Sequence, residues 1–168
     1  MKAGLVIVML LLFQLAPASV VFASAGMREF VSGSYNDIVD ARRNRAFILV
    51  FWSVDCPPCY GELEQLGSVL TKELKTRLVL VSLDSASDQE MIREVLNKYN
   101  LAGVEAWVFS SGDDRRLRHE VDPMWYGELP RSYLFDSQHN RQPISGVLSL
   151  EQLKTGLKQE ISDYPSEK

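Results

Sequence analysis

Apolar positions along this chain fall into two alternating patterns. Ala46 to Val54 is an almost unbroken apolar run, as a strand covered on both faces requires, and Arg77 to Asp84 (RLVLVSLD) reads as a second such strand with Asp84 in the loop at its end. Between them Leu63, Leu66, Leu70 and Leu74 recur at helical spacing, with Glu64, Ser68, Thr71 and Lys75 facing outward. That spacing predicts an amphipathic helix opening at Cys56-Pro57-Pro58-Cys59. A further helix is predicted from about Asp88 to Tyr99 on Met91, Ile92, Val95 and Leu96, followed by a short strand at Ala106 to Phe109. Gly112-Asp113-Asp114 starts a short helix through about Val121. Strands at Arg131 to Asp136 and Arg141 to Val147 are expected to pair antiparallel across the turn Ser137 to Asn140. Leu150 to Ile161 forms a final helix capped by Ser149, and Ser162 to Lys168 is a frayed polar tail. At the other end, residues 26 to 33 read as an irregular or edge-strand start. Ser34 reads as the cap of a helix to about Arg43, with Ile38 and Val39 inward and Arg42, Arg43 and Arg45 solvated at its C-terminus.

The first 25 residues follow another logic. Lys2, the apolar run Leu5 to Phe13 and the small residues Ala23-Ser24-Ala25 have the layout of a secretory signal peptide cleaved after Ala23 or Ala25. Residues 4 to 23 are also just long enough to serve as an uncleaved membrane anchor. Removing residues 1–25 takes away one lysine and no acid, so a net charge of −4 becomes −5. An acidic surface without basic clusters argues against nucleic acid or anionic membrane as the partner. The remainder, residues 26–168, fits one domain with a sizeable core and is expected to be a monomer.

Cys56 and Cys59 are the only two cysteines. The unpaired N–H groups and dipole of a helix N-terminus favour a thiolate, so Cys56 is the expected attacking sulfur. Prolines are tolerated in the first turn, and Cys59 lies three residues on, on the same side of the helix, where it can resolve a mixed disulfide at Cys56. A structural staple would close a tiny loop worth roughly 2 kcal/mol in the chain-entropy model. A structural zinc site wants four ligands, whereas here the two cysteines are joined only by remote His119 and His139, which read as surface residues.

Trp52-Ser53-Val54-Asp55-Cys56-Pro57-Pro58-Cys59 resembles the W-x-x-x-C-x-x-C signature of the thioredoxin superfamily. With Glu62 after the pair and Gly127-Glu128-Leu129-Pro130 before a strand, the chain is most similar to the TlpA/ResA/CcmG-like branch of exported thiol-disulfide oxidoreductases. The resemblance implies an α/β thioredoxin-like fold, a central mixed β-sheet flanked by helices, with the helix and strand near 88–109 as the branch's insertion. It implies Cys56 as nucleophile, Cys59 as resolving thiol, and Glu62 as the carboxylate that exchanges a proton with Cys59. It also implies Leu129-Pro130 as a cis bond in the client-binding groove beside Trp52. Trp125 and Tyr126, from their place near the turn, either line that groove or pack. The departures are Val50 where many thioredoxins carry a buried acid, Glu64 where the branch often has proline, and Arg131-Ser132 where it commonly has threonines.

The direction implied is reduction of disulfides in periplasmic client proteins, such as the haem-site cysteines of apocytochrome c or copper-site cysteines. No cofactor beyond the Cys56–Cys59 pair is implied, and a membrane electron donor would recycle the enzyme. Asp55 leans the same way, because a neighbouring carboxylate disfavours the thiolate, by well under about one pK unit at an exposed site. Two other readings stay open: a copper-binding assembly factor using the thiols and a histidine, and a non-catalytic interaction domain that keeps the fold.

Overall fold

A computed structural model describes residues 27–110 and 112–156. The two apolar runs become strands β2 (Phe47–Trp52) and β3 (Leu78–Ser85), which pair in parallel at the centre of a six-stranded sheet. β4 (Glu105–Phe109) continues the parallel set beyond β3, and β1 (Arg28–Phe30) forms that edge, parallel to β4. On the other side β5 (Arg131–Phe135) runs antiparallel to β2, and β6 (Arg141–Ser145) closes the edge antiparallel to β5. The order is β1-β4-β3-β2-β5-β6, a mixed sheet. In β6 only Ile144 is less than exposed, and Pro143 stands opposite Tyr133.

Alternation along the central strands sends side chains to two cores. Ile48, Val50 and Trp52 meet α2 (Pro57–Val69), α4 (Gln89–Lys98) and α6 (Leu150–Gly156) through Leu63, Leu66, Ile92, Leu96 and Leu153. Phe47, Leu49 and Phe51 meet α1 (Ser34–Asp40) and α5 (Asp114–Val121) through Ile38, Leu117 and Val121. Each such fully buried side chain is worth about 1.5–3 kcal/mol over leaving it in water.

Several details differ from the sequence expectation. The leucine-spaced helix is two helices: the chain turns extended at Leu70, and Thr71 caps a new turn, α3 (Lys72–Lys75), by accepting from Leu74 N–H. Leu74 therefore belongs to α3. α1 ends at Asp40, and its cap is Gly33 at φ 89°, a left-handed position glycine holds without strain. Ser34 instead accepts from Val31 N–H at 2.9 Å. Arg42 is not solvated: its side chain is 11% exposed, bonds Ile38 O and pairs with Glu105 at the start of β4. Met91 is exposed on α4, whose buried positions are Ile92 and Leu96. Asp84 lies inside β3. Ser149 does cap α6, with Ser149 Oγ and Gln152 Oε1 each accepting the other residue's N–H. The predicted leader at 1–25 and the end of the last predicted helix lie outside the described residues. Among the described residues no helix is long and apolar enough to cross a membrane.

Candidate active site

β2 delivers the chain at its C-terminal end into Ser53-Val54-Asp55, a short loop held by one carboxylate. Asp84 on neighbouring β3 accepts from Ser53 Oγ (2.7 Å), from Val54 N–H (2.9 Å) and from Ser82 Oγ. Ser53 Oγ in turn accepts from Asp55 N–H at 3.0 Å, and Tyr60 OH bonds Val54 O. The next residue, Cys56, is the N-cap of α2, with Pro57 and Pro58 in its first turn, where their missing N–H groups cost nothing. Cys56 and Cys59 form a disulfide with a Cα–Cα distance of 5.3 Å. Cys59 is fully buried, and Cys56 is the more exposed of the two at 8%.

One turn beyond Cys59, Glu62 is entirely buried on the same core face as the disulfide. Ser132 donates its hydroxyl to Glu62 Oε1 at 2.7 Å, while Oε2 has no hydrogen-bond partner among the described residues. Burial pushes the Glu62 carboxyl up to about 7, with the Ser132 bond working against the rise. A carboxyl poised there can take and return a proton near neutral pH.

The peptide bond Leu129–Pro130 is cis. The β2–β5 register pairs Phe51 with Arg131, which sets Pro130 at the Trp52 end of β2, where the chain runs on to Cys56. Pro130 O accepts from Gly146 N–H at 2.9 Å, and Leu129 is half-buried between the two cores. Trp52 is 1% exposed and lies in the same core cluster as both cysteines. Trp125 is buried against Phe51, with ring centroids 4.7 Å apart, whereas Tyr126 is 83% exposed. Thus Cys56, Cys59, Glu62 and Trp52 share one core face, and Pro130 approaches from the neighbouring strand.

His119 and His139 are elsewhere. His119 is exposed on α5, and the ring of His139 contacts Arg42 O at 2.9 Å. Among the described residues no group of three or more His, Cys, Asp or Glu is placed to hold a metal ion, so the donor set of the copper reading is not assembled. Two residues of the site carry little signal in the sequence: Ser132 is marked only by its place two residues after Pro130, and Asp84 only by its place at the end of an apolar run.

No family model and no curated protein matches the chain. Solved structures do. A thiol:disulfide interchange protein of the thioredoxin family from Chlorobium tepidum is 18% identical, covering 71% of this chain and 82% of its own, with a TM-score of 0.53. The thioredoxin domain of a Bacteroides vulgatus thiol-disulfide oxidoreductase is 15% identical over 74% of this chain and 84% of its own, at 0.53. A secreted Mycobacterium tuberculosis disulfide oxidoreductase, described as homologous to E. coli DsbE, is 16% identical over 71% and 85%, at 0.51. The six-stranded mixed sheet with its helices, and these likenesses, give the chain a thioredoxin-like fold.

Proposed function

We propose that this protein is an exported thiol-disulfide oxidoreductase that reduces disulfides in client proteins through Cys56 and Cys59. The observation that carries the reading is Glu62: a carboxyl buried one turn past the resolving cysteine, with one oxygen unpartnered among the described residues and its pKa raised to about 7. In the reduced enzyme the Cys56 thiolate attacks a client sulfur, and the other client sulfur leaves as a thiolate that water protonates. Cys59 gives its proton to Glu62 carboxylate and attacks Cys56 Sγ. The bond between Cys56 and the client breaks, the second client sulfur leaves as a thiolate that takes its proton from water, and the enzyme is left with the Cys56–Cys59 disulfide. Two electrons pass from enzyme to client, and a membrane electron donor restores the dithiol. Leu129-Pro130 shapes the client groove. The clients are periplasmic proteins with paired cysteines, such as apocytochrome c or copper-centre assembly factors, as the resemblance to the TlpA/ResA/CcmG-like branch implies. Export rests on the leader-like residues 1–25.

The test is the reduction potential of the pair at pH 7 by equilibration with glutathione or dithiothreitol. A value of about −250 mV or lower supports a reductant, and one near about −120 mV reverses the direction. Cys56→Ser is expected to abolish disulfide reduction and Cys59→Ser to accumulate mixed disulfides. Full activity in Cys56→Ser would sink the mechanism.

A further inference from the structure

A polar network that the sulfur chemistry does not use lies across the sheet from the disulfide. Arg131 and Ser132 are the two residues after Pro130, and strand alternation sends them to opposite faces. Ser132 reaches Glu62, whereas the Arg131 guanidinium bonds Asp122 at 2.9 Å, Tyr133 OH at 3.2 Å, Glu128 at 3.2 Å and Ser145 Oγ at 2.5 Å. The side chains of Arg131 and Asp122 are each only 10% exposed. Asp122 also accepts from Met124 N–H (3.0 Å) and Tyr133 OH (3.1 Å), and Arg141 lies 3.9 Å from it.

The two ends of segment 122–130 are therefore tied to each other. Asp122 opens it, Arg131 follows its last residue, and Glu128 is held by both Arg131 and Ser145. Inside the segment, Trp125 donates its indole N–H to Glu128 O at 3.0 Å. Beside the exposed Glu128, the segment turns Met124 (68% exposed) and Tyr126 (83%) outward, ahead of the cis Leu129–Pro130 bond. A hydrophobic pair could replace a buried ion pair with little loss of stability, so stability alone does not account for it. A guanidinium fork does something that packing does not, because its donors are directional and fix the groups they bind relative to one another.

We propose that Arg131 is a positioning residue whose pairing with Asp122 holds segment 122–130 as a preformed surface for client polypeptide, leaving the reactivity of Cys56 unchanged. The inference rests on the proposed function, since it takes the client to be a polypeptide disulfide. A preformed surface spares the client the cost of ordering that loop on binding, so its loss appears in KM rather than kcat.

The experiment compares the full chain with its Arg131→Met and Asp122→Asn variants on two oxidants, insulin and the small disulfide 5,5′-dithiobis(2-nitrobenzoate), alongside amide hydrogen exchange of residues 123–129. Both variants are expected to raise KM for insulin about tenfold with kcat within about twofold, to react with the small disulfide at the wild-type rate, and to lose protection in the loop. Equal losses on both oxidants, or wild-type KM with loop protection retained, would overturn the proposal. Should Arg131→Met fail to fold, Asp122→Asn decides it by the same criteria. If the wild-type protein reduces neither oxidant, the functional reading falls, and loop exchange alone then judges the clamp: lost protection supports it and retained protection overturns it.

Discussion

Ser132 and Glu62 meet through a single 2.7 Å hydrogen bond inside the core, and that bond is the one polar contact of the Glu62 carboxyl among the described residues. One oxygen of the carboxyl is thus hydrogen-bonded and the other has no partner among the described residues, at a fully buried position.

The stability of the oxidised protein should depend on pH through this group. Glu62 sits at about 7 in the fold against 4.5 in an exposed chain, so the folded state holds the proton more tightly than the unfolded state. The contribution is full below pH 4.5, is lost as pH rises to about 7 and is level above, a change of about 3 kcal/mol. Urea unfolding between pH 4 and 8 reads the slope, and Glu62→Gln is expected to flatten it. A wild-type curve already flat over that range would show that Glu62 does not titrate there.

Ser132→Ala removes the contact that opposes the upward shift of Glu62. The inflection attributed to Glu62 in the pH profile of client release is expected to move above 7, while Ser132→Thr, which keeps the hydroxyl, leaves it in place. An unmoved inflection in Ser132→Ala would separate Ser132 from the proton chemistry.

Asp84→Ala takes away the acceptor shared by Ser53 Oγ and Val54 N–H. The cost is expected to be about 1–3 kcal/mol, since two donors in the half-buried loop and the buried Ser82 hydroxyl lose their partner. Protection of the Val54 amide is lost at the same time, which hydrogen exchange would report.

Two glycines of α2 predict opposite results. A Cβ on Gly67 would lie 1.7 Å from Tyr99 O, a backbone atom that cannot step aside, so Gly67→Ala is expected to cost more than about 3 kcal/mol. Gly61 is exposed with nothing within 4 Å of such a Cβ, and Gly61→Ala is expected to gain about 0.5–1 kcal/mol. Thermal or urea denaturation distinguishes them.

What could be read before the structure was local. The apolar runs of β2 and β3 announce strands buried on both faces, and Cys56, Cys59, Glu62 and Pro130 carry spacing that short motifs make visible. What could not be read depends on residues distant in the chain. Arg42 looks like a solvated helix end until Glu105, 63 residues on, comes beside it. Leu74 fits the helical period of Leu63 to Leu70, but the competing cap at Thr71 decides the break. Asp84 and Ser132 acquire meaning only where β3 and β5 flank the loop and helix of the cysteines.

The two borders of the sheet bear on how a client is released. β1 offers a border of three residues, and β6 carries Pro143, which has no N–H to give to an added strand. Under the proposed function this protein meets extended, incompletely folded chains, which zip readily onto any open strand. Borders this short and this interrupted give such a chain little backbone to grip. Among the described residues, attachment is then favoured at the end of the molecule that holds the disulfide, from which a reduced client is free to go.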